Sequence, residues 1–224
     1  MGKLIVIEGT DSSGKQTQAE LLYEKYKKIG KKVMKVTFPN YESPSSAPVK
    51  MYLNGEFGKN VGEVNTYAVS TMYAVDRYAS FKTTWENFYN DGGIIISDRY
   101  TTSNMVHQAS KIDDQNEKSK YLKWLTDLEY EKMGIPKPDM VIFLNMPTQM
   151  AYKLMEKRKN KITGQDKKDI HENDYEYTKK SHDNACYIAE KYSWKEIMCV
   201  KNGELKPIDE IGNEVIKVCE ELFI

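Results

Sequence analysis

Apolar residues in this chain fall into short unbroken runs: KLIVIE at 3–8, KKVMKVTF at 31–38, GIIISD at 93–98, DMVIFLNM at 139–146 and IMCV at 197–200. Long charged stretches with helical spacing separate them. A run without period-two alternation suits a strand covered on both faces, and the intervening lengths suit crossover helices. The pattern therefore predicts an α/β fold, an open parallel five-stranded sheet flanked by helices with right-handed crossovers. A length of 224 residues predicts one domain over 1–224, since it buries a sizeable core yet falls short of two independent ones. Two segments interrupt the alternation. YESPSSAPVK at 41–50 reads as a Pro/Ser loop, and EKRKNKITGQDKKDIHEND at 156–174 as a charged segment between helical patterns, either a solvated loop or a small lid.

Composition narrows the possible partners. The formal net charge is +0, so no global field draws the protein toward nucleic acid or an acidic membrane surface, and any anion site must be local. Cys186, Cys199 and Cys219 are odd in number, far apart and free of any CxxC, which predicts reduced buried thiols rather than a disulfide framework or a zinc site. A glutamate at position 8 interrupts the first apolar run, so no secretory core is expected, and no apolar run is long enough to span a bilayer. The expected location is the cytoplasm. Among 33 basic residues only Arg77, Arg99 and Arg158 are arginines. A guanidinium grips phosphates and carbonyl edges with two donors at once, so these three are site candidates.

The sharpest local signal is IVIEGTDSSGKQT. An apolar strand runs into G-x-x-x-x-G-K from Gly9 to Lys15 and then into the amphipathic QTQAELLYEKYKKIG. Such a loop, residues 9–17 (Gly9, Thr10, Asp11, Ser12, Ser13, Gly14, Lys15, Gln16, Thr17), turns successive N–H groups toward phosphate oxygens. The following helix offers its positive end and Lys15 a cation for the outer phosphates of a nucleotide. Gln16 stands where a Ser or Thr hydroxyl would touch Mg²⁺, and Thr17 lies about 100° further round the helix. Mg²⁺ keeps several waters and needs few protein oxygens, so a carboxylate elsewhere can serve. Asp98, closing the buried run IIISD, is the predicted metal-side acid.

These motifs occur in an order that resembles one family: EGTDSSGKQTQ, FPNY after the second strand, YAVDRY in a helix, SDRYTTS, KPDMVIFLNMP and DIHEND. Together they resemble the thymidylate kinases, P-loop nucleoside monophosphate kinases, over the whole chain. The resemblance implies transfer of the ATP γ-phosphoryl to dTMP, giving dTDP, with Mg²⁺, on a P-loop kinase fold and as a homodimer. It implies catalytic roles for Lys15, Asp98, Arg99 and Arg158, with Arg99 gripping the acceptor phosphate and Asp11 the acceptor's 3′-hydroxyl. Ser103 and Gln108 match family positions near the sugar and base, and Phe38 would wall the same pocket. Tyr73 and Arg77, four apart on one helix face, suit an aromatic plate against the base and a donor to its O4 edge. The resemblance also suggests His107 against the ribose 2′-position. Blander readings stand beside these: an ion pair of Arg99 with Asp98 or Asp76, an Asx turn at Asp11, a core tyrosine beside a surface arginine, and a helix-surface His107.

The chain also departs from the family pattern. Ser12 stands where some members carry a loop arginine, which moves the burden to the segment holding Arg158, Lys159, Lys161, Lys167 and Lys168. Tyr41 replaces an arginine directed at the acceptor phosphate, leaving that clamp to Lys50 or a loop serine, and Asn145 replaces an acid. The alternative functions are a P-loop kinase for another deoxynucleotide or a deoxynucleoside, and a non-catalytic nucleotide-binding relative.

Overall fold

The structure, a computed structural model, describes residues 1–156 and 174–223. Its elements in chain order are β1 (Lys3–Glu8), α1 (Lys15–Lys28), β2 (Val33–Thr37), α2 (Ala47–Leu53), α3 (Thr66–Ser80), α4 (Glu86–Asn90), β3 (Ile94–Asp98), α5 (Thr101–Ser103), α6 (Gln115–Thr126), β4 (Met140–Asn145), α7 (Thr148–Glu156), α8 (Tyr175–Lys191), β5 (Lys195–Met198), β6 (Val200–Lys201), β7 (Glu204–Leu205) and α9 (Ile208–Glu220). Five strands form one sheet in the order β2-β3-β1-β4-β5, all parallel, as the apolar runs predict. The last run is displaced: β5 covers 195–198 rather than 197–200. It is the sheet's edge, exposed at all but Ile197, so its apolar signature is too weak to place it, and Val200 begins a separate small hairpin of β6 with β7.

Alternate residues of each central strand serve opposite layers. Ile5, Ile7, Ile96, Ile142 and Leu144 pack against Ala19, Leu22 and Tyr26 of α1 and Ile211, Val215 and Cys219 of α9. Leu4, Val6, Ile95 and Val141 face Phe81, Trp85, Tyr89 and Tyr100 on the other side. Trp85, fully buried, meets Phe81 edge-on at 4.6 Å between ring centres. Its indole N–H finds no acceptor among the described residues. Trp85→Ala is therefore expected to cost about 3–5 kcal/mol in denaturant unfolding, the range for large core truncations. Trp85→Phe should cost well under half of that, because it keeps an aromatic ring and removes an unsatisfied donor. Burial pushes the Cys199 and Cys219 thiols up to about 12, whereas Cys186 is only half-buried. Among the described residues no helix is long and apolar enough to cross a membrane.

Strand order creates the site. The chain leaves β1 for β2 and β3 on one side, then crosses to β4 on the other, so the connections part at the carboxyl end of β1. Open α/β sheets bind ligands at such a switch point. There Ile7 lies opposite Asp98 and Thr37 opposite Asp98 in turn, and the ladders continue through Arg99 N–H to Ile7 O (3.2 Å) and Phe38 N–H to Asp98 O (3.0 Å). Residues 9–17, 37–39 and 98–99 are thereby brought to one edge.

Candidate active site

The loop between β1 and α1 is shaped to take an anion. Gly14 sits at φ 88, a left-handed turn that points the chain into α1. A side chain at Gly9 would meet Ser13 Oγ at 2.5 Å and Leu144 O at 2.9 Å, so the turn requires glycine there. No side chain caps α1 and its first turn contains no acid, which leaves its N-terminal N–H groups to an external acceptor. Thr10 Oγ1, Ser12 Oγ and Ser13 Oγ are buried without hydrogen-bond partners among the described residues. Lys15, 5 % exposed, donates from Nζ to Thr10 O at 2.6 Å, inside the loop. Gln16 and Thr17 are exposed, and only Gln16 reaches the neighbouring cavity.

That cavity holds about 380 Å³ and is lined by Asp11, Phe38, Tyr73, Arg77, Asp98, Arg99, Ser103 and Gln108, all foreseen in the sequence, together with Asn104 and His107. Arg99 is its charged centre. It holds φ 66, a left-handed backbone that costs a branched-free L residue about 1–3 kcal/mol unless its surroundings compensate. They do so with charge. Nη2 donates to Asp11 Oδ1 at 2.5 Å, Nη1 to His107 Nε2 at 3.1 Å and Ser103 Oγ at 3.4 Å, with Glu8 Oε1 at 4.0 Å. Burial works against the charged guanidinium, but Asp11, Glu8 and Asp98 outweigh it and raise its pKa. The ion pair is thus with Asp11, not with Asp98 or Asp76. Since a guanidinium only donates, His107 Nε2 must accept, which places the ring proton on Nδ1. His107 is buried in the cavity wall rather than on a helix surface.

Glu8 was not singled out in the sequence, yet it braces this arrangement. Fully buried, it accepts from Gly9 N–H (2.9 Å), Thr102 Oγ1 (2.6 Å) and Ser103 Oγ (2.8 Å). The phosphate loop, β1 and the start of α5 are tied together through one carboxylate. The Ser103 hydroxyl proton is therefore committed to Glu8, which makes Ser103 a strut of the cavity as well as part of its lining. The one sequence signal for Glu8 is an acid closing an otherwise apolar buried run.

Arg77 is likewise no surface arginine. It is 1 % exposed and forms a two-pronged pair with Glu129, Nε to Oε2 and Nη2 to Oε1, each 2.6 Å, while Nη1 donates to Tyr100 O at 3.3 Å. Tyr73 packs with Tyr41, Val49, Tyr52, Leu53 and Val69 at the same wall, and Phe38 lies 5.9 Å from Tyr100 ring to ring. Gln108 is 1 % exposed, and its Oε1 has no hydrogen-bond partner among the described residues. Asp76, also fully buried, accepts from Asn40 N–H (2.8 Å) and Ser45 Oγ (2.6 Å), pinning the loop after β2 against the cavity. Lys50 donates to Tyr41 O at 3.1 Å and is not in the lining. Of three π-helical stretches, Phe81–Trp85, Asn104–Gln108 and Asp127–Lys132, the second lines the cavity with Asn104, His107 and Gln108 and the third carries Glu129, the partner of Arg77. Such insertions recur where a helix must re-aim side chains at a site.

Asn145, unexplained by sequence, is a clamp at the end of β4. Its Nδ2 donates to Glu196 Oε1 (2.6 Å), which fixes the amide orientation, so Oδ1 accepts from His182 Nε2 (2.8 Å). An aspartate would face Glu196 with a second negative charge. Arg158, Lys159, Lys161, Lys167 and Lys168, with most of the expected lid at 156–174, lie outside the described residues. Among the described residues no cluster of three or more His, Cys, Asp or Glu could hold a metal alone.

Comparison with known proteins agrees with this geometry. A family model described as thymidylate kinase matches residues 7–204. The thymidylate kinase of Mycobacterium tuberculosis is 32 % identical over 149 residues, 66 % of this chain and 68 % of that protein. A probable thymidylate kinase of Thermococcus onnurineus is 29 % identical over 220 residues, 96 % of each. The solved structure of thymidylate kinase from Candida albicans superposes with a TM-score of 0.74 at 23 % identity, covering 98 % of this chain and 92 % of that one, a likeness of fold. With the phosphate loop, the strand order and a family match across nearly its whole length in agreement, the chain belongs to the thymidylate kinase family.

Proposed function

We propose that this chain transfers the γ-phosphoryl group of ATP to dTMP, giving dTDP. The observation that carries the reading is a glycine-turned anion loop set directly against a second cavity that contains its own arginine, Arg99, beside Asp98. Two phosphate-bearing ligands can meet there end to end. Phosphoryl transfer of this kind needs positioning and charge neutralisation more than covalent help from the protein.

The residues divide the work. Loop N–H groups from Gly9 to Thr17 and Lys15 would hold the ATP phosphates. Arg99, with Nη1 and one Nη2 hydrogen engaged by His107, Ser103 and Asp11, would turn its remaining edge to the acceptor phosphate. Asp11 would accept the 3′-hydroxyl. Phe38 and Tyr73 would flank the base, Gln108 Oε1 would accept thymine N3–H, and Arg77 would donate to O4. Arg158 would add a cation from the lid.

A magnesium ion fits this set. Asp98 Oδ1 is buried with no hydrogen-bond partner among the described residues, and one carboxylate oxygen beside nucleotide phosphates and water suits a hard, well-hydrated cation. Asp98 would hold it, and when bound it would neutralise charge on the transferring group. The family resemblance extends to a homodimer, which sedimentation at micromolar protein would read.

An initial-rate panel with ATP and Mg²⁺ tests the acceptor. dTMP should give the highest kcat/KM. dUMP should fall about fourfold, since one buried methyl is worth roughly 0.8 kcal/mol. dCMP should fall by orders of magnitude, because its amino group would meet the donors of Arg77. Thymidine, without a phosphate for Arg99, should be inert. Equal turnover of dCMP and dUMP would remove Arg77 from the base edge, and thymidine outperforming dTMP would favour a nucleoside kinase.

A further inference from the structure

We infer that Glu129 is a specificity-determining positioning residue: its two-pronged grip fixes the rotation of the Arg77 guanidinium so that its two free N–H groups face the base. The inference rests on the reading of the cavity as a dTMP site.

Glu129 is fully buried and Arg77 nearly so, so neither can exchange its partner for water. Two 2.6 Å bonds, from Nε and Nη2, fix both the plane of the guanidinium and its rotation in that plane. Thr101 Oγ1 donates to Glu129 Oε2 at 2.7 Å and keeps the carboxylate from turning with the arginine. Tyr100 O takes one Nη1 hydrogen. Of the five N–H groups of Arg77, three are thereby used, and one hydrogen on Nη1 and one on Nη2 are left. Both remaining groups are donors. They complement the O4 of thymine or uracil and oppose the exocyclic amino group of cytosine. Glu129 also offsets the charge of Arg77, against the cost of burial, and raises its pKa. A neutral base then meets an oriented dipole rather than an uncompensated charge.

A buried ion pair could instead serve the fold alone, so the test must separate the two roles. In Glu129→Gln the carboxamide accepts one N–H and opposes another, which forces the guanidinium to rotate. Steady-state kinetics of the purified full chain with dTMP and dCMP, at saturating ATP and Mg²⁺ and well below each variant's melting temperature, should show kcat/KM for dTMP falling about 100-fold, mainly through KM. The dCMP value should change less than about threefold, so that the dTMP to dCMP ratio collapses by most of the same factor. Glu129→Asp, which restores the charge, should recover part of the ratio. A lower melting temperature with an unchanged ratio would leave Glu129 a purely structural partner and overturn the inference. Should Glu129→Gln not fold, Thr101→Val decides: it frees the carboxylate while keeping the ion pair, and should lower the ratio severalfold, an unchanged ratio again overturning the inference. Failure of the wild-type chain to phosphorylate dTMP is a different result and strikes the functional reading itself.

Discussion

Replacing Arg99 with methionine is expected to lower kcat/KM for dTMP by about 10³–10⁵-fold, the range over which a transition-state arginine contributes in phosphoryl transfer. The side chain is 14 % exposed, and it forms hydrogen bonds or ion pairs with Asp11, His107, Ser103 and Glu8 at the site. Methionine matches the length and keeps the packing, but it cannot bind the acceptor phosphate and removes the positive charge beside Asp11 and Glu8. ATP affinity should hold within a few-fold, because the loop from Gly9 to Thr17 is untouched, and a fluorescent ATP analogue would measure it. An Arg99→Met enzyme with an unchanged KM for dTMP would place the acceptor phosphate elsewhere.

The second large effect is expected at Asp98. Asp98→Asn preserves size and removes the charge of a carboxylate whose Oδ1 is buried without a hydrogen-bond partner among the described residues. A fall in kcat of about 10²–10³-fold is expected, comparable to removal of one preorganised electrostatic contact, together with a higher Mg²⁺ requirement. Gln16→Ser, by contrast, should change kcat only a few-fold, since Gln16 is exposed and reaches the acceptor cavity rather than lying buried in the loop. Equal losses in the two variants, read from Mg²⁺ titrations of initial rate, would contradict this division.

The central sheet was legible because strands buried on both faces must be continuously apolar, and β1, β3 and β4 satisfy that rule at nearly every position. β5 was misplaced because an edge strand with one buried residue carries no such pattern. The turn after β1 and the place of Asp98 were legible for another reason: each depends on neighbours in sequence, a turn between strand and helix, or the last residue of a strand. Glu8 and Glu129 were not legible as site residues. Each acts through partners far along the chain, Thr102 and Ser103 for Glu8 and Arg77 for Glu129, and charged residues in a lysine-rich chain look like solvated surface until the fold brings them inside. For His107 the sequence left two readings, at the ribose 2′-position or on a helix surface, because it does not reveal a π-helical turn. The π-helical stretch Asn104–Gln108 adds a residue to the turn and rotates His107 toward Arg99. Asn145 needed both β5 and α8 in place before its clamp on Glu196 and His182 had meaning.

The most direct test is to follow phosphorus-31 resonances while the purified chain is incubated with ATP, Mg²⁺ and dTMP. ADP and dTDP should appear together in equal amounts, with inorganic phosphate far behind. Production of inorganic phosphate without dTDP, or no change in either nucleotide, would contradict the proposed transfer.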